Sequence, residues 1–238
     1  MLALMVAATT FWVSARQAPE TQPSIGELDW NSDGTRLAGA NSDGSISIWD
    51  NTGLLLQSLA GFSGSVSSVD WHPINRHLLA SISYYDEDIH LWDSETGNLM
   101  RTIHAAGFRD GIYVVRWSRQ GDRLIAAGFD VYQIWDTVNW TPLTDIETGS
   151  MYDMIWDMSD AFVIVAGLTD IHRIAISPLN VTSELNFDWL PVRALSWNPN
   201  GQQFAAVGRT QPFVSLWSVS PLAQMHSFDL DAIANDIS

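Results

Sequence analysis

The chain has 238 residues, 46% of them hydrophobic, enough to bury a sizeable core in one or two domains. It carries 27 acidic residues against 11 basic ones, every one of them arginine, for a formal net charge of −16. That balance repels nucleic acid and anionic membrane surfaces, the lack of lysine excludes Schiff-base chemistry, and the lack of cysteine excludes disulfides, thiol nucleophiles and thiolate metal sites.

The chain opens with MLALMVAATTFWVSA, an apolar run too short to span a bilayer comfortably, followed by Arg16. Val13, Ser14 and Ala15 suit a small-residue cleavage site, but no basic residue precedes the run. Residues 1–24 therefore read as a signal peptide or as an N-terminal strand and linker. A secreted or periplasmic location and a cytoplasmic one both fit, with no membrane span in the mature chain.

The next distinctive stretch is DGSISIWD, residues 43–50. Asp43 and Gly44 supply a tight turn, and Ile46 and Ile48 then alternate with Ser45, Ser47 and Trp49 at strand period. Related endings return as HLWD at 90–93 and QIWD at 133–136. Aligned on that indole, Trp49, Trp92, Trp135, Ala175 and Trp217 stand 43, 43, 40 and 42 residues apart. A second series, Trp30, Trp71, Trp117, Trp156 and Trp197, keeps step with the first, 18 to 21 residues ahead of it. Around each member of the second series the chain reads strand, polar turn, strand, as in SVDWHPINRHLLAS and VVRWSRQGDRLIAA. Another turn, the Trp-bearing third strand and a fourth strand such as LMRTIHA follow.

Four short strands per unit of about 42 residues, without sustained helical periodicity, predict an all-β β-propeller of four-stranded antiparallel blades. The sequence resembles the WD-repeat propeller family over roughly residues 25–238. Its matching features are the inner-strand Trp, the polar turn after it, the Asp-Gly turn and the closing Trp-Asp. Blades are expected at about 25–61, 62–106, 107–148, 149–188 and 189–230. Residues 231–238 then start a sixth, since Ala234, Ile237 and Ser238 match Val192, Leu195 and Ser196. The ring is thus expected to be incomplete, an arc of a parent with six to eight blades, seven favoured; a closed five-bladed ring is the alternative. The family's Gly-His pair is Gly61-Phe62 and Gly107-Phe108 in this chain. The resemblance therefore implies that Asp43, Asp130 and Asp170 lack their usual histidine and lean on backbone donors or water.

The chain carries no nucleophile elbow, zinc helix, phosphate loop or dinucleotide fingerprint. Asp86, Glu87, Asp88 and His90 lie where a turn enters a strand, and Asp153, Asp157 and Asp160 lack the spacing of a calcium loop, so no metal or cofactor is expected. What remains is a surface. The resemblance implies that loops gathered at one end of the ring dock partners. On this chain that end presents Phe62, Tyr84, Tyr85, Phe108, Arg109, Tyr113, Trp189, Arg193 and Arg209, rich in the aromatic and arginine side chains that dominate interface energetics. Phe62, Phe108 and Trp189 serve equally well as plugs at blade junctions. The expected function is a non-enzymatic scaffold binding a protein or peptide. The alternatives are a secreted propeller hydrolase or lyase with carboxylates in the axial funnel, and a sensor domain of a larger polypeptide.

Overall fold

A computed structural model describes residues 23–229, apart from 109–110, 130, 148–150, 169, 177–178, 187–190 and 209–212. Among the described residues, twenty strands form five four-stranded antiparallel sheets, each taking its strands in chain order. The first blade is β1 (Ile25–Trp30), β2 (Arg36–Asn41), β3 (Ser45–Asp50) and β4 (Leu55–Ala60). The second is β5 (Val66–Trp71), β6 (Leu78–Ser83), β7 (Asp88–Asp93) and β8 (Asn98–His104). The third is β9 (Ile112–Trp117), β10 (Arg123–Gly128), β11 (Val131–Asp136) and β12 (Thr141–Glu147). The fourth is β13 (Met151–Trp156), β14 (Phe162–Gly167), β15 (Asp170–Ile176) and β16 (Leu179–Asn186). The fifth is β17 (Val192–Trp197), β18 (Gln203–Gly208), β19 (Phe213–Val219) and β20 (Leu222–Asp229). Among the described residues no helix is long and apolar enough to cross a membrane. The expected strand of a sixth blade and the first 22 residues lie outside the described residues.

The core consists of apolar slabs, one at each junction between successive blades. Ala38, Ile46 and Ile48 of the first blade pack with Val69, Trp71 and Trp92 of the second. Ile82, Ile89 and Leu91 then meet Trp117 and Trp135, and Ile125 and Ile134 meet Met154 and Trp156. Ile164 and Ile171 close the series against Phe204 and Trp217. Where both Trp series are present, each blade thus turns its two indoles toward the blade before it. A buried side chain of that size contributes roughly 1.5–3 kcal/mol. The first blade shows the same logic in reverse: Trp30 is 50% exposed, with Leu28 and Ile25 exposed beside it.

The second Trp series also bonds across the junctions. Trp71 Nε1 donates to the Asp29 carbonyl at 3.0 Å, Trp117 Nε1 to the Asp70 carbonyl at 3.2 Å and Trp156 Nε1 to the Arg116 carbonyl at 3.5 Å. At the next junction, Trp197 Nε1 is buried with no acceptor among the described residues.

Strand register corrects one element of the sequence alignment. In the fourth blade Val163 pairs with Ile174, as Leu79 pairs with Trp92 and Leu124 with Trp135. The step in register that falls between Ile134 and Trp135 falls here between Arg173 and Ile174. Ile174, not Ala175, therefore takes the place of the closing Trp, and Ala175 takes that of Asp93 and Asp136. With no indole to anchor it, spacing alone misplaced the unit by one residue.

Trp71→Phe keeps most of the apolar contact but leaves the Asp29 carbonyl without its indole donor, and is expected to cost about 1–2 kcal/mol. Urea denaturation followed by far-UV circular dichroism measures it; an unchanged midpoint would remove the indole bond from the account of blade cohesion.

Candidate functional site

An inner strand has a ladder partner on one side only, so its remaining amides need acceptors from elsewhere. The structure supplies them from the preceding blade, 42 or 47 residues earlier in the chain. Glu27 accepts the Val69 N–H at 3.0 Å and Asp29 the Trp71 N–H at 2.7 Å. Ser68 accepts from Val115 at 3.3 Å, Asp70 from Trp117 at 2.6 Å and Asp153 from Leu195 at 2.7 Å. The third blade has Val114 and Arg116 at the corresponding places, and neither side chain can accept. Arg116 instead reaches across the axis to Glu27 at 2.6 Å, Asp153 at 3.3 Å and Ser68 at 3.0 Å, tying four blades together.

These charges sit away from water. Burial pushes the Asp29 carboxyl up to about 6 against the pull of the Trp71 amide and Arg116, and Asp153 likewise to about 6. Burial, with Asp29 as a like-charged neighbour, holds Asp70 well above the ordinary carboxylate range. For Arg116 burial acts downward, but Glu27, Asp153 and Asp70 outweigh it and its pKa is raised.

The same strands build the mouth of the axis. Every inner strand skips one residue in its pairing: Gly26, Ser67, Tyr113, Tyr152 and Arg193 have no opposite number. A bulge of this kind re-aims the extra side chain. All five residues line an axial cavity of about 810 Å3, together with Glu27, Arg116 and Asp153. The bulged tyrosines form a stack: the Tyr113 and Tyr152 rings lie 6.0 Å apart at 5°. Tyr84, from the turn between β6 and β7, stacks on Tyr113 at 5.0 Å, and Tyr85 meets Tyr84 edge-on at 5.0 Å. Gly111, at a φ of 88°, admits this turn, since a Cβ there would come within 1.7 Å of the Tyr84 carbonyl oxygen.

The structure thus brings Tyr84, Tyr85 and Tyr113 together at one mouth and puts Arg193 on the cavity wall beside it. Tyr85 is 76% exposed. Phe62 is half-buried and stacks on His90 at 4.3 Å. Phe108 is 1% exposed inside the slab between the second and third blades, against Gly128, and offers no surface to a partner. Arg109, Trp189 and Arg209 lie outside the described residues. Sequence reading missed Tyr152, and its signal was available: it stands four residues before an inner-strand Trp, as Tyr113 and Arg193 do.

Burial lowers the His90 pKa, and among the described residues the acidic turn beside it forms no metal-holding group. Asp43 accepts from the amide and hydroxyl of Ser45, at 3.0 and 2.6 Å. Asp170 has His172 of its own strand within 3.5 Å, a neighbour not anticipated from the family pattern, and Asp130 is outside the described residues.

Comparison with known proteins agrees with this architecture. The family pattern "WD domain, G-beta repeat" matches residues 18–50 and 53–93. THO complex subunit 3 of Arabidopsis thaliana is 24% identical over 90% of this chain and 69% of its own length. The WD repeat-containing protein AAC3 of Dictyostelium discoideum is 24% identical over 84% of this chain, which spans 47% of that protein. A chain in a crystal structure of the mitotic checkpoint complex superposes with a TM-score of 0.81, at 21% identity, over 92% of this chain and 69% of its own; the likeness establishes the propeller fold.

WD repeats are thus matched over residues 18–50 and 53–93, and over most of its length the chain is similar to WD-repeat proteins. WD-repeat proteins typically mediate protein interactions and are generally non-enzymatic. In this chain, three inner-strand carboxyls hold protons more tightly than in the unfolded chain, where their ordinary value is 3.8. Their contribution to stability is complete at low pH; that of Asp29 and Asp153 is lost as pH rises through about 6, and that of Asp70 as pH rises through its own raised value. Asp33, lowered to about 2 by the Thr35 hydroxyl, acts oppositely and favours the fold above the unfolded value, as do Asp43, Asp50 and Asp93. The melting temperature is therefore expected to rise on acidification from about pH 7.5 to 5.5 and to fall again below about pH 4. In Asp70→Asn, which keeps an acceptor for Trp117, the slope between these limits should be shallower; an unaltered slope would place the proton uptake elsewhere.

Proposed function

We propose that the chain is a non-enzymatic scaffold that binds a protein or peptide at the axial mouth formed by Tyr84, Tyr85, Tyr113, Tyr152 and Arg193. The observation that carries this reading is the repeated inner-strand bulge, which turns aromatic and arginine side chains toward one opening rather than into the junctions. Rigid tyrosines provide contact area at little entropic cost, and the stack holds them in place before any partner arrives. That one relative is itself named as a complex subunit supports protein partners for this chain as well.

The cavity also holds carboxylates, as a hydrolase or lyase would require. Yet the Glu27 oxygens accept from Arg116 and Val69, and those of Asp153 from Arg116, Met154 and Leu195. Groups committed to inner-strand amides and one guanidinium are holding the arc together, and this favours the scaffold over catalysis. The sensor reading places the same surface within a larger polypeptide.

Peptides selected on the full chain from a random display library provide the test. The double variant Tyr85→Ala/Arg193→Ala is expected to bind them at least about tenfold more weakly while its far-UV circular dichroism spectrum still reports a folded chain. Undiminished affinity would move the binding surface away from this mouth.

A further inference from the structure

We propose, building on that reading, that the segment bound at the mouth is basic, and that it sets an arginine or lysine against the Tyr85 ring and the Asp86 and Glu87 carboxylates. The turn between β6 and β7 carries Tyr84, Tyr85, Asp86 and Glu87 in succession, and Asp88 opens β7 directly after it. Its aromatic half is fixed by the Tyr84–Tyr113 stack and by the edge contact between Tyr84 and Tyr85. Its acidic half is anchored lightly. Asp86 accepts from the Ser63 hydroxyl at 3.2 Å, and Glu87, with half its side chain exposed, comes no nearer than 4.0 Å to His104. His104 is instead engaged by Asp88 at 2.9 Å.

An exposed tyrosine followed in the same turn by two acidic residues suits a cation twice over. The face of the ring attracts it through the quadrupole, and the carboxylates attract it through charge. Arg116, buried deeper in the cavity, is already held by Glu27 and Asp153, so it does not offset the acids of the rim. The formal charge of −16 extends the attraction beyond contact range and would repel an acidic or phosphorylated segment on approach. The Asp43–Gly44 turn of the neighbouring blade packs against the backbone of Phe62 and Gly64.

The test uses the full chain and fluorescence anisotropy with a labelled nonapeptide containing three arginines, together with its glutamate and phosphoserine counterparts. The arginine peptide is expected to bind at least about tenfold more tightly than either counterpart, and to weaken by a similar factor between about 0.05 and 0.3 M salt. Asp86→Asn/Glu87→Gln should lose about tenfold, whereas the charge-matched control Glu95→Gln/Asp122→Asn, on exposed acids of other turns, should lose little. Equal losses in the two double variants would reduce the effect to diffuse attraction and overturn the proposal, as would equal or tighter binding of the glutamate or phosphoserine peptide. Two failures are distinguishable. If library-selected peptides depend on Tyr85 and Arg193 but not on Asp86 and Glu87, the binding mouth stands and the basic partner falls; if they depend on neither pair, both fall.

Discussion

From the second blade onward, each inner strand is an edge strand packed at the centre of the molecule, and its free amides must be satisfied without a ladder. Water is largely excluded there and no sheet continues on that side. The solution is a side-chain acceptor from the blade before: Glu27 for Val69, Asp29 for Trp71, Ser68 for Val115, Asp70 for Trp117 and Asp153 for Leu195. An amide buried without an acceptor costs on the order of 1–3 kcal/mol, so this requirement outranks the cost of bringing carboxyl groups inside. It explains why an apolar strand such as VSSVDW contains an aspartate next to its tryptophan.

The same strand has a second task, and the bulge separates the two. Asp and Glu at the positions one and three before the Trp serve as acceptors for the next blade, although Glu27, Arg116 and Asp153 also reach the cavity wall. The residue four before it has no pairing partner and lines the axial cavity. A regular strand would have tied that position to the strict alternation of its neighbours. The bulge frees it to vary through Gly26, Ser67, Tyr113, Tyr152 and Arg193 while the junction chemistry is kept. Variation at a position that supplies no acceptor to the inner-strand amides gives a repeat architecture a binding surface of its own on a shared frame, even though Ser67 also donates to the Ile112 carbonyl of the next blade at 3.0 Å.

Acidic residues divide accordingly. Asp29, Asp70 and Asp153 are structural acceptors whose protons are held tightly because burial disfavours the charge. Asp33, Asp43 and Asp50 cap turns in water, and hydrogen bonds from nearby Thr and Ser residues favour their charged form. The acids at the rim, beside Tyr85, belong to neither group. Counting acids in the sequence treats all of these alike; their environments give them different work.

What the sequence determined by itself was the repeat. Two indole series in constant offset mark four strands per unit, because each buried indole fills a junction whose size recurs with every blade, and a one-dimensional period suffices to see that. Even there the fourth unit slipped by one residue, since Ile174 keeps the packing of a closing Trp without its signature. The tertiary structure alone decided which side chains meet. Tyr84, Tyr113 and Tyr152 come from different blades, and each acceptor stands 42 or 47 residues from its amide, so no local pattern joins them. The bulge that aims Tyr113, Tyr152 and Arg193 is a property of hydrogen-bond register between strands, and register exists only once the strands have paired.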